Sequence, residues 1–518
     1  MAAPARFITS LNPATEEPLA EFECADAEKI AKTVTAARQA FADWRPLSYH
    51  DRARIILKAR ELIYQQLDPL AALISQENGK PLTEAISADL MPVLELATYF
   101  AKNTEKILQR EAIWLGKWNW LGRSSTIRYQ PLGVVGIIAP WNFPFSIPCG
   151  QVIMALMAGN TVVLKPSEFT PLVGLKIAEL FTQAGLPKDV LQVVVGDGLT
   201  GAALVQSGVD KISFTGSVPT GKKIMEAAAK SLTPVVLELG GKDPMVVLED
   251  ADLEVAAAGA VWGAFSNSGQ ICASVERLYV HEQVAEAFIQ KCVAKTQQLR
   301  QGLGSEPVDL GAMNNAPQLA KVAAQVVAAA QAGAQVLTGG KRVTGGKGYF
   351  YPPTILTGVN HQMSVVSDES FGPVLPIMTF KDEAEAIQRC NDSQYALTAS
   401  VWTKDLARGQ RIAEQIEAGT VMINENTYTF ALPQTPWGGP KQSGIGRTHG
   451  KEGLLEFVGI KHIHLNRVAR MKDLWWFHYD RTRYQLLIAM ADMLFGKGIN
   501  RLKGAVKMLW FGRQAKNL

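Results

Sequence analysis

The chain is short of cysteine and has none in pairs. Five occur in 518 residues, Cys24, Cys149, Cys272, Cys292 and Cys390, without the spacing of a disulfide framework or a metal site. That excludes a stapled secreted fold and leads us to expect a reducing, cytoplasmic compartment. No stretch reaches the ~18 consecutive apolar residues that a spanning helix needs. The start, Met1-Ala2-Ala3-Pro4-Ala5-Arg6-Phe7, lacks the apolar core and cleavage signal of a secretory peptide, so secretion is not expected. Histidine is also sparse. The seven, His50, His281, His361, His449, His462, His464 and His478, sit outside the glycine-rich strand-end motifs. A thiol hydrolase or transferase, which usually enlists a histidine base, is therefore disfavoured.

An excess of one charge is missing from most of the chain. From Asn466 onward eleven basic and three acidic side chains give a net +8, which leaves −4 for everything before it. The body is mildly acidic, and nucleic-acid binding is not expected of it. An apolar share of 47% with 19% charged residues is that of a globular protein, and the length suits two or three domains.

Alternation of short apolar runs with helical periodicity is abundant. The first ~110 residues read mainly as helix, with three-and-four spacing over 25–42 and 51–67. After a Trp-rich, strand-like interruption at 113–131, strands at 134–139, 161–164, 191–195, 211–214 and 235–237 alternate with helices. A second series starts at 245–248 and continues through strands near 375–380, 398–402 and 420–423. Such βαβ alternation predicts an α/β fold built on parallel sheets.

Short loop motifs, several of them glycine-rich turns after strands, carry the chemistry. Asn267-Ser268-Gly269-Gln270-Ile271-Cys272-Ala273-Ser274 leaves a thiol uncrowded, and Leu237-Glu238-Leu239-Gly240-Gly241-Lys242 holds a carboxylate on a second such turn. Nucleophile plus base is the minimal apparatus for covalent carbonyl chemistry. Read singly, Cys272 is more often a buried structural thiol, and Glu238 also suits a helix-capping or surface carboxylate. Pro140-Trp141-Asn142-Phe143-Pro144 follows a strand, where Asn142 suits either an oxyanion donor or a structural turn. Lys165-Pro166-Ser167-Glu168 suits a ribose-binding pair or an ordinary charged loop. Phe214-Thr215-Gly216-Ser217 with Gly221-Lys222-Lys223 presents backbone N–H groups to a phosphate. It nearly matches a P-loop, but Lys223 stands where a Ser or Thr would ligate magnesium, so a P-loop NTPase is a remote alternative.

Together these motifs resemble the aldehyde dehydrogenase superfamily over nearly all of residues 7–464. Carrying the resemblance are Asn12-Pro13-Ala14-Thr15-Glu16, the five motifs above, Glu369-Ser370-Phe371-Gly372-Pro373 and Pro436-Trp437-Gly438-Gly439-Pro440-Lys441-Gln442-Ser443-Gly444-Ile445-Gly446-Arg447. It implies a Rossmann-like cofactor domain at 1–112 and 132–240, an α/β catalytic domain at 241–446 and a small β oligomerisation arm at 113–131 and 447–464. It further implies a homodimer or homotetramer. Cys272 would be nucleophile and Glu238 general base, with Asn142 and the Cys272 N–H as oxyanion donors. NAD, with NADP less favoured, would contact Trp141, Lys165, Ser167, Glu168, Phe214, Gly216, Ser217, Gly221, Leu239, Glu369 and Phe371. No metal is implied. Retention of Glu238 argues against a CoA-acylating branch. Two positions depart from many tetrameric members: Gln151 replaces a lysine and Thr448 a glutamate, both on a proposed proton-exit route.

The body looks most similar to broad-specificity and fatty-aldehyde members, so a medium- or long-chain aliphatic aldehyde is the expected substrate. A semialdehyde acid is the alternative, though no arginine motif for a second carboxylate stands out. Residues 465–518 lie beyond the usual end of the family. Trp475-Trp476-Phe477, the run 484–495 and Trp510-Phe511 among basic residues suit either an anionic membrane interface or packing on the body or a partner subunit.

Overall fold

The computed structural model describes residues 5–342, 346–468, 473 and 475–514, with side chains as far as Trp510. Strand Val134–Ile138 reads Val-Val-Gly-Ile-Ile and is buried along its length, as expected of a central parallel strand covered on both faces. It lies between Thr161–Lys165 and Lys211–Thr215 in a six-stranded sheet. In space the order is Gly444–Ile445, Val235–Glu238, Lys211–Thr215, Val134–Ile138, Thr161–Lys165, Leu191–Val193. Only the first of these runs antiparallel to its neighbour. The chain fills one half outward from Val134–Ile138 and then crosses back to Lys211–Thr215. That reversal opens a crevice at the carboxyl ends of these two strands, where ligands of doubly wound sheets bind.

Helix Ser146–Ala158 follows the central strand and is buried at every position, which its nearly uncharged sequence permits. A seven-stranded sheet runs Gln335–Thr338, Thr354–Thr357, Val374–Phe380, Val275–His281, Asp243–Val247, Thr398–Trp402, Thr420–Ile423, parallel except at its first pair. The α/β fold with parallel sheets is therefore as expected.

The helices expected near 25–42 and 51–67 are Ala27–Trp44, capped by Asp26, and Tyr49–Gln65, capped by Ser48. Two features were not expected in this part of the chain. An antiparallel hairpin pairs Phe7–Leu11 with Pro18–Glu23, short strands that are mostly exposed or half-exposed. A π-helical turn, Ala85–Leu90, interrupts the helices before Met91–Ile107.

The chain divides into two compact units, Met1–Gln109 with Tyr129–Gly459, and Arg110–Arg128 with Ile460–Leu518. In the second, Glu111–Ile113, Arg123–Pro131 and Val458–Asn466 form a three-stranded sheet, with Ser125 Oγ hydrogen-bonded to His464 Nδ1 at 2.8 Å. The C-terminal extension folds as two helices, Arg481–Phe495 and Ile499–Gln514. They meet closely at Gly504, where a Cβ would lie 2.4 Å from the Met493 nitrogen and 2.8 Å from the Ala489 oxygen. Trp475 packs edge-on against Trp118, and the Arg123 guanidinium lies over both rings. The expected roles of Arg470, Lys472, Phe511, Arg513 and Lys516 lie outside the described side chains. No helix among the described residues is long and apolar enough to cross a membrane.

Candidate active site

The turn carrying Cys272 is fixed from several sides. Asn267 and Ser268 both adopt left-handed backbone, at φ 51° and 53°, a conformation that surrounding contacts must hold in place for non-glycine residues. The Asn267 N–H donates to both Glu84 carboxylate oxygens, at 2.9 and 3.1 Å, and Ser268 Oγ donates to the Gly311 oxygen at 2.9 Å. Gly269 follows at φ 72°, and a Cβ there would lie 2.1 Å from the Gly372 oxygen. Only glycine fits.

Asn142 is buried at the end of the central strand's loop, and its Nδ2 donates to the Gln270 oxygen at 3.0 Å. Its own carbonyl accepts from Lys80 Nζ at 2.9 Å and from Asn267 Nδ2 at 2.9 Å. Lys80 in turn meets Asp89 at 2.6 Å, both side chains fully buried. Asp89 Oδ1 accepts the backbone N–H groups of Phe145 and Ser146. Nothing in the sequence singled out Lys80 or Asp89, because each reads as an ordinary charge in helical surroundings.

Glu238 ends strand Val235–Glu238 and is buried, and neither of its oxygens has a hydrogen-bond partner among the described residues. Burial holds its carboxyl well above the usual range. Arg447 opposes that rise and Glu456 adds to it. Burial likewise pushes the Cys272 thiol up, reinforced by Asp243, Glu369 and Glu238 and opposed by the Ala273 N–H. A thiol held neutral in this way needs a base before it can attack carbon. Cys272 and Glu238 line one small cavity of about 20 Å³ together with Gln151, Thr215, Thr448 and His449. The two positions that departed from the family pattern, Gln151 and Thr448, therefore both face Glu238's surroundings. His449 also lies there, although the sequence placed no histidine near the site.

The expected cofactor residues gather at the strand ends on both sides of the crevice. Lys165 is buried at the end of its strand, 3.3 Å from the half-exposed Glu168, with Ser167 Oγ 3.4 Å from the same carboxylate. Ser217 caps helix Val218–Ala229. A Cβ at Gly216 would lie 2.5 Å from the Phe214 ring, and one at Gly221 would lie 2.6 Å from Leu239. Across the site, Glu369 accepts the Gly241 N–H at 3.1 Å, and Phe371 meets Trp141 edge-on with ring centroids 5.4 Å apart. Burial pushes the Glu369 carboxyl up to about 7. A buried Lys242–Glu276 pair at 2.6 Å supports this segment, because Glu276 also accepts the N–H groups of Ser370 and Phe371. A helix N-terminus, a sugar-sized lysine–carboxylate pair and glycines that admit close backbone approach fit a dinucleotide.

A second cavity of about 330 Å³ reaches Cys272 from outside. Its lining includes Met91, Phe143, Trp262, Ile271, Phe430 and Trp437, and Glu84 is the only charged side chain among the described residues that line it.

A doubly wound nucleotide sheet bordered by a half-buried thiol and a buried, unpartnered carboxylate defines a cofactor-dependent α/β enzyme. Its family follows from comparison with known proteins. The model for the aldehyde dehydrogenase family matches residues 1–463. A 4,4'-diapolycopene aldehyde oxidase from Methylomonas sp. is 38% identical over 491 residues, covering 95% of this chain and 92% of its own. A betaine aldehyde dehydrogenase from Bacillus subtilis is 40% identical, covering 88% and 93%. The solved NAD+ complex of an aldehyde dehydrogenase from Bacillus cereus is 38% identical, with a TM-score of 0.85 and 89% and 94% coverage. The chain belongs to the aldehyde dehydrogenase family. It is an oxidoreductase that acts on aldehydes with NAD as cofactor. A P-loop NTPase is thereby set aside. Among the described residues there is also no cluster of potential metal ligands.

Proposed function

We propose that this enzyme oxidises medium- or long-chain aliphatic aldehydes to carboxylic acids through a covalent adduct on Cys272. The apolar cavity ending at that thiol is the observation that carries the reading. At about 330 Å³ it lies at the small end of the ~300–1,000 Å³ range of ligand cavities, which suits one extended chain. A semialdehyde acid is disfavoured, because its second carboxylate would meet Glu84 and no lining cation.

In this scheme the Cys272 thiol releases its proton to solvent water and Sγ bonds to the aldehyde carbon. Asn142 Nδ2 and the Cys272 N–H stabilise the oxyanion, and the Lys80–Asp89 pair holds Asn142 in place. NAD bound at the strand ends supplies the hydride acceptor. Trp141, Lys165, Ser167, Glu168, Phe214, Gly216, Ser217, Gly221, Leu239, Glu369 and Phe371 form its cradle. Water deprotonated by Glu238 then attacks the acyl carbon and the C–S bond breaks, which releases the acid. Domain boundaries follow the same logic: a cofactor domain over 1–112 and 132–240, and a catalytic domain over 241–446.

The arm at 113–131 and 447–464 is proposed to join subunits into a homodimer or homotetramer. Strand Val458–Asn466 lies at the sheet edge with Ile460 and Ile463 exposed, and such an edge invites pairing. The extension is proposed to rest on anionic membrane. Ile499, Leu502, Val506, Leu509 and Trp510 are exposed at helical spacing, with Arg501, Lys503 and Lys507 on the same helix. The match to the Methylomonas relative covers 95% of the chain and so extends into the tail.

Glu84 among aromatic rings favours a second reading, a cationic aldehyde, since aromatic faces and a carboxylate both attract a cation. Two relatives are named betaine aldehyde dehydrogenases. Initial rates of NADH formation across C2–C16 aldehydes, succinate semialdehyde and betaine aldehyde decide. Higher kcat/KM at C8 and above supports the first reading. A maximum at betaine aldehyde, lost in Glu84→Gln, supports the second.

A further inference from the structure

Four buried polar atoms without hydrogen-bond partners among the described residues belong to three side chains on the wall of one cavity. They are both oxygens of Glu238, Gln151 Oε1 and His449 Nε2. All three side chains are almost wholly buried. Polar groups so placed cost about 1–3 kcal/mol each when left unpaired. The cavity's volume of about 20 Å³ exceeds the ~10–15 Å³ that one water needs. Cys272 completes the wall.

The remaining atoms of these side chains are already engaged. Gln151 Nε2 donates to Thr215 Oγ1 at 2.9 Å, which leaves its Oε1 as an acceptor. His449 Nδ1 lies 3.2 Å from Thr448 Oγ1. With the Thr448 hydroxyl donating to Nδ1, the proton of a neutral imidazole resides on Nε2. Burial pushes the His449 pKa down to about 4, so the ring stays neutral at any ordinary assay pH.

We propose that the cavity binds a single water whose partners are His449, Gln151 and Glu238, and that His449 is a positioning residue for the hydrolytic step. The donors and acceptors close. Nε2–H of His449 donates to the water oxygen, and the water donates one hydrogen to Gln151 Oε1 and the other to Glu238. One lone pair remains, directed at Cys272. The inference rests on Cys272 as nucleophile and Glu238 as base. When the acyl group occupies Cys272, the water oxygen bonds to the acyl carbon and its proton passes to Glu238. The carbonyl π pair moves to the oxyanion. It returns to re-form the carbonyl as the C–S bond breaks, and the thiolate leaves with the C–S bonding pair. The side chains at the two positions that depart from the family's proposed proton-exit route thus become the water's cradle. Gln151 binds it directly, and Thr448 fixes the tautomer of His449.

Stopped-flow NADH formation separates this from a merely structural role. His449→Phe keeps a ring against Phe430, whose centroid is 4.8 Å away, but removes the N–H. We expect its first-turnover burst rate to stay within twofold of the parent and its steady-state rate to fall about tenfold or more, as for a lost water hydrogen bond. His449→Gln, which restores an N–H donor, should recover most of that loss. Gln151→Leu should reproduce the phenotype from the other side, and it carries the test if His449→Phe fails to fold. Equal slowing of burst and steady state, an unchanged steady state, or no recovery in His449→Gln would each overturn the proposal. Glu238→Gln, measured alongside, marks the failure of the underlying reading. A full steady-state rate there removes the base assignment itself, and the proposal falls with it. A slow Glu238→Gln beside an unaffected His449→Phe removes the proposal alone.

Discussion

Asn142 Nδ2 donates to the carbonyl oxygen of Gln270 at 3.0 Å, tying the loop after the central strand to the turn that presents Cys272. One of the amide's two N–H bonds is spent on this tie, and the other remains for a developing oxyanion. The Lys80–Asp89 pair holds the same loop from behind, through the Asn142 carbonyl and the start of helix Ser146–Ala158.

Removing the amide should slow chemistry while leaving the fold intact. Asn142→Ala is expected to lower the NADH burst rate by about 10²–10³, the usual loss for one oxyanion donor. Lys80→Met behaves differently, because it strands a buried Asp89 and should destabilise the protein by about 3–5 kcal/mol. Chemical denaturation of both variants checks the distinction: a large stability loss in Asn142→Ala or none in Lys80→Met contradicts it.

The pH dependence of deacylation follows from the raised carboxyl of Glu238. The group works when ionised, so its rate falls as pH drops through a value well above the ordinary carboxylate range. Arg447 favours the ionised form. Arg447→Met should therefore move the acidic limb of kcat to still higher pH. A limb that stays put or moves down rules out Glu238 as the titrating base.

Cofactor choice turns on Glu168. A carboxylate beside the ribose accepts a 2′-hydroxyl and repels a phosphate, by about 1–4 kcal/mol for like charges near 4 Å. Lys165, 3.3 Å from Glu168, relieves part of this. We expect kcat/KM at least tenfold higher with NAD than NADP, and a narrowed ratio in Glu168→Ala. Equal efficiencies that are unchanged by the substitution defeat the argument.

For the C-terminal helices, Leu502→Asp with Leu509→Asp and a separate Arg501→Glu, Lys503→Glu, Lys507→Glu variant should each abolish co-sedimentation with anionic liposomes. Each basic group contributes roughly 1 kcal/mol near such a surface, an attraction that weakens with salt. Activity on short, soluble aldehydes should persist. If the variants lose activity on every aldehyde or change oligomeric state, the helices pack on a partner subunit instead.

Much of the site was legible because its residues stand in short loop motifs rich in glycine or proline. Cys272 lies in a glycine-bearing turn, Glu238 at a strand end before Gly240-Gly241 and Asn142 between two prolines after a buried strand, and the strand-end location of Lys165 and Gly216 follows from βαβ alternation. Glu369 and Phe371 were reachable only through the family resemblance, since their segment lies far along the chain and carries no local pattern. Lys80, Asp89 and His449 were not legible. Their roles arise from burial and from partners distant in sequence, which neither charge nor spacing announces. The hairpin at the start escaped because its strands are short and mostly exposed or half-exposed, without a buried apolar run. In the extension the apolar run 484–495 was visible, but the pairing of its helix through Gly504 was not.

The central claim is that the substrate's acyl group rides on Cys272. It is tested most directly by mixing Glu238→Gln with NAD and decanal, quenching in acid and mapping the mass of the peptide that contains Cys272. The account predicts a decanoyl adduct on that peptide in near-stoichiometric yield, dependent on NAD and absent from Cys272→Ala. NADH formation without acylation of Cys272, or acylation at another cysteine, would contradict it.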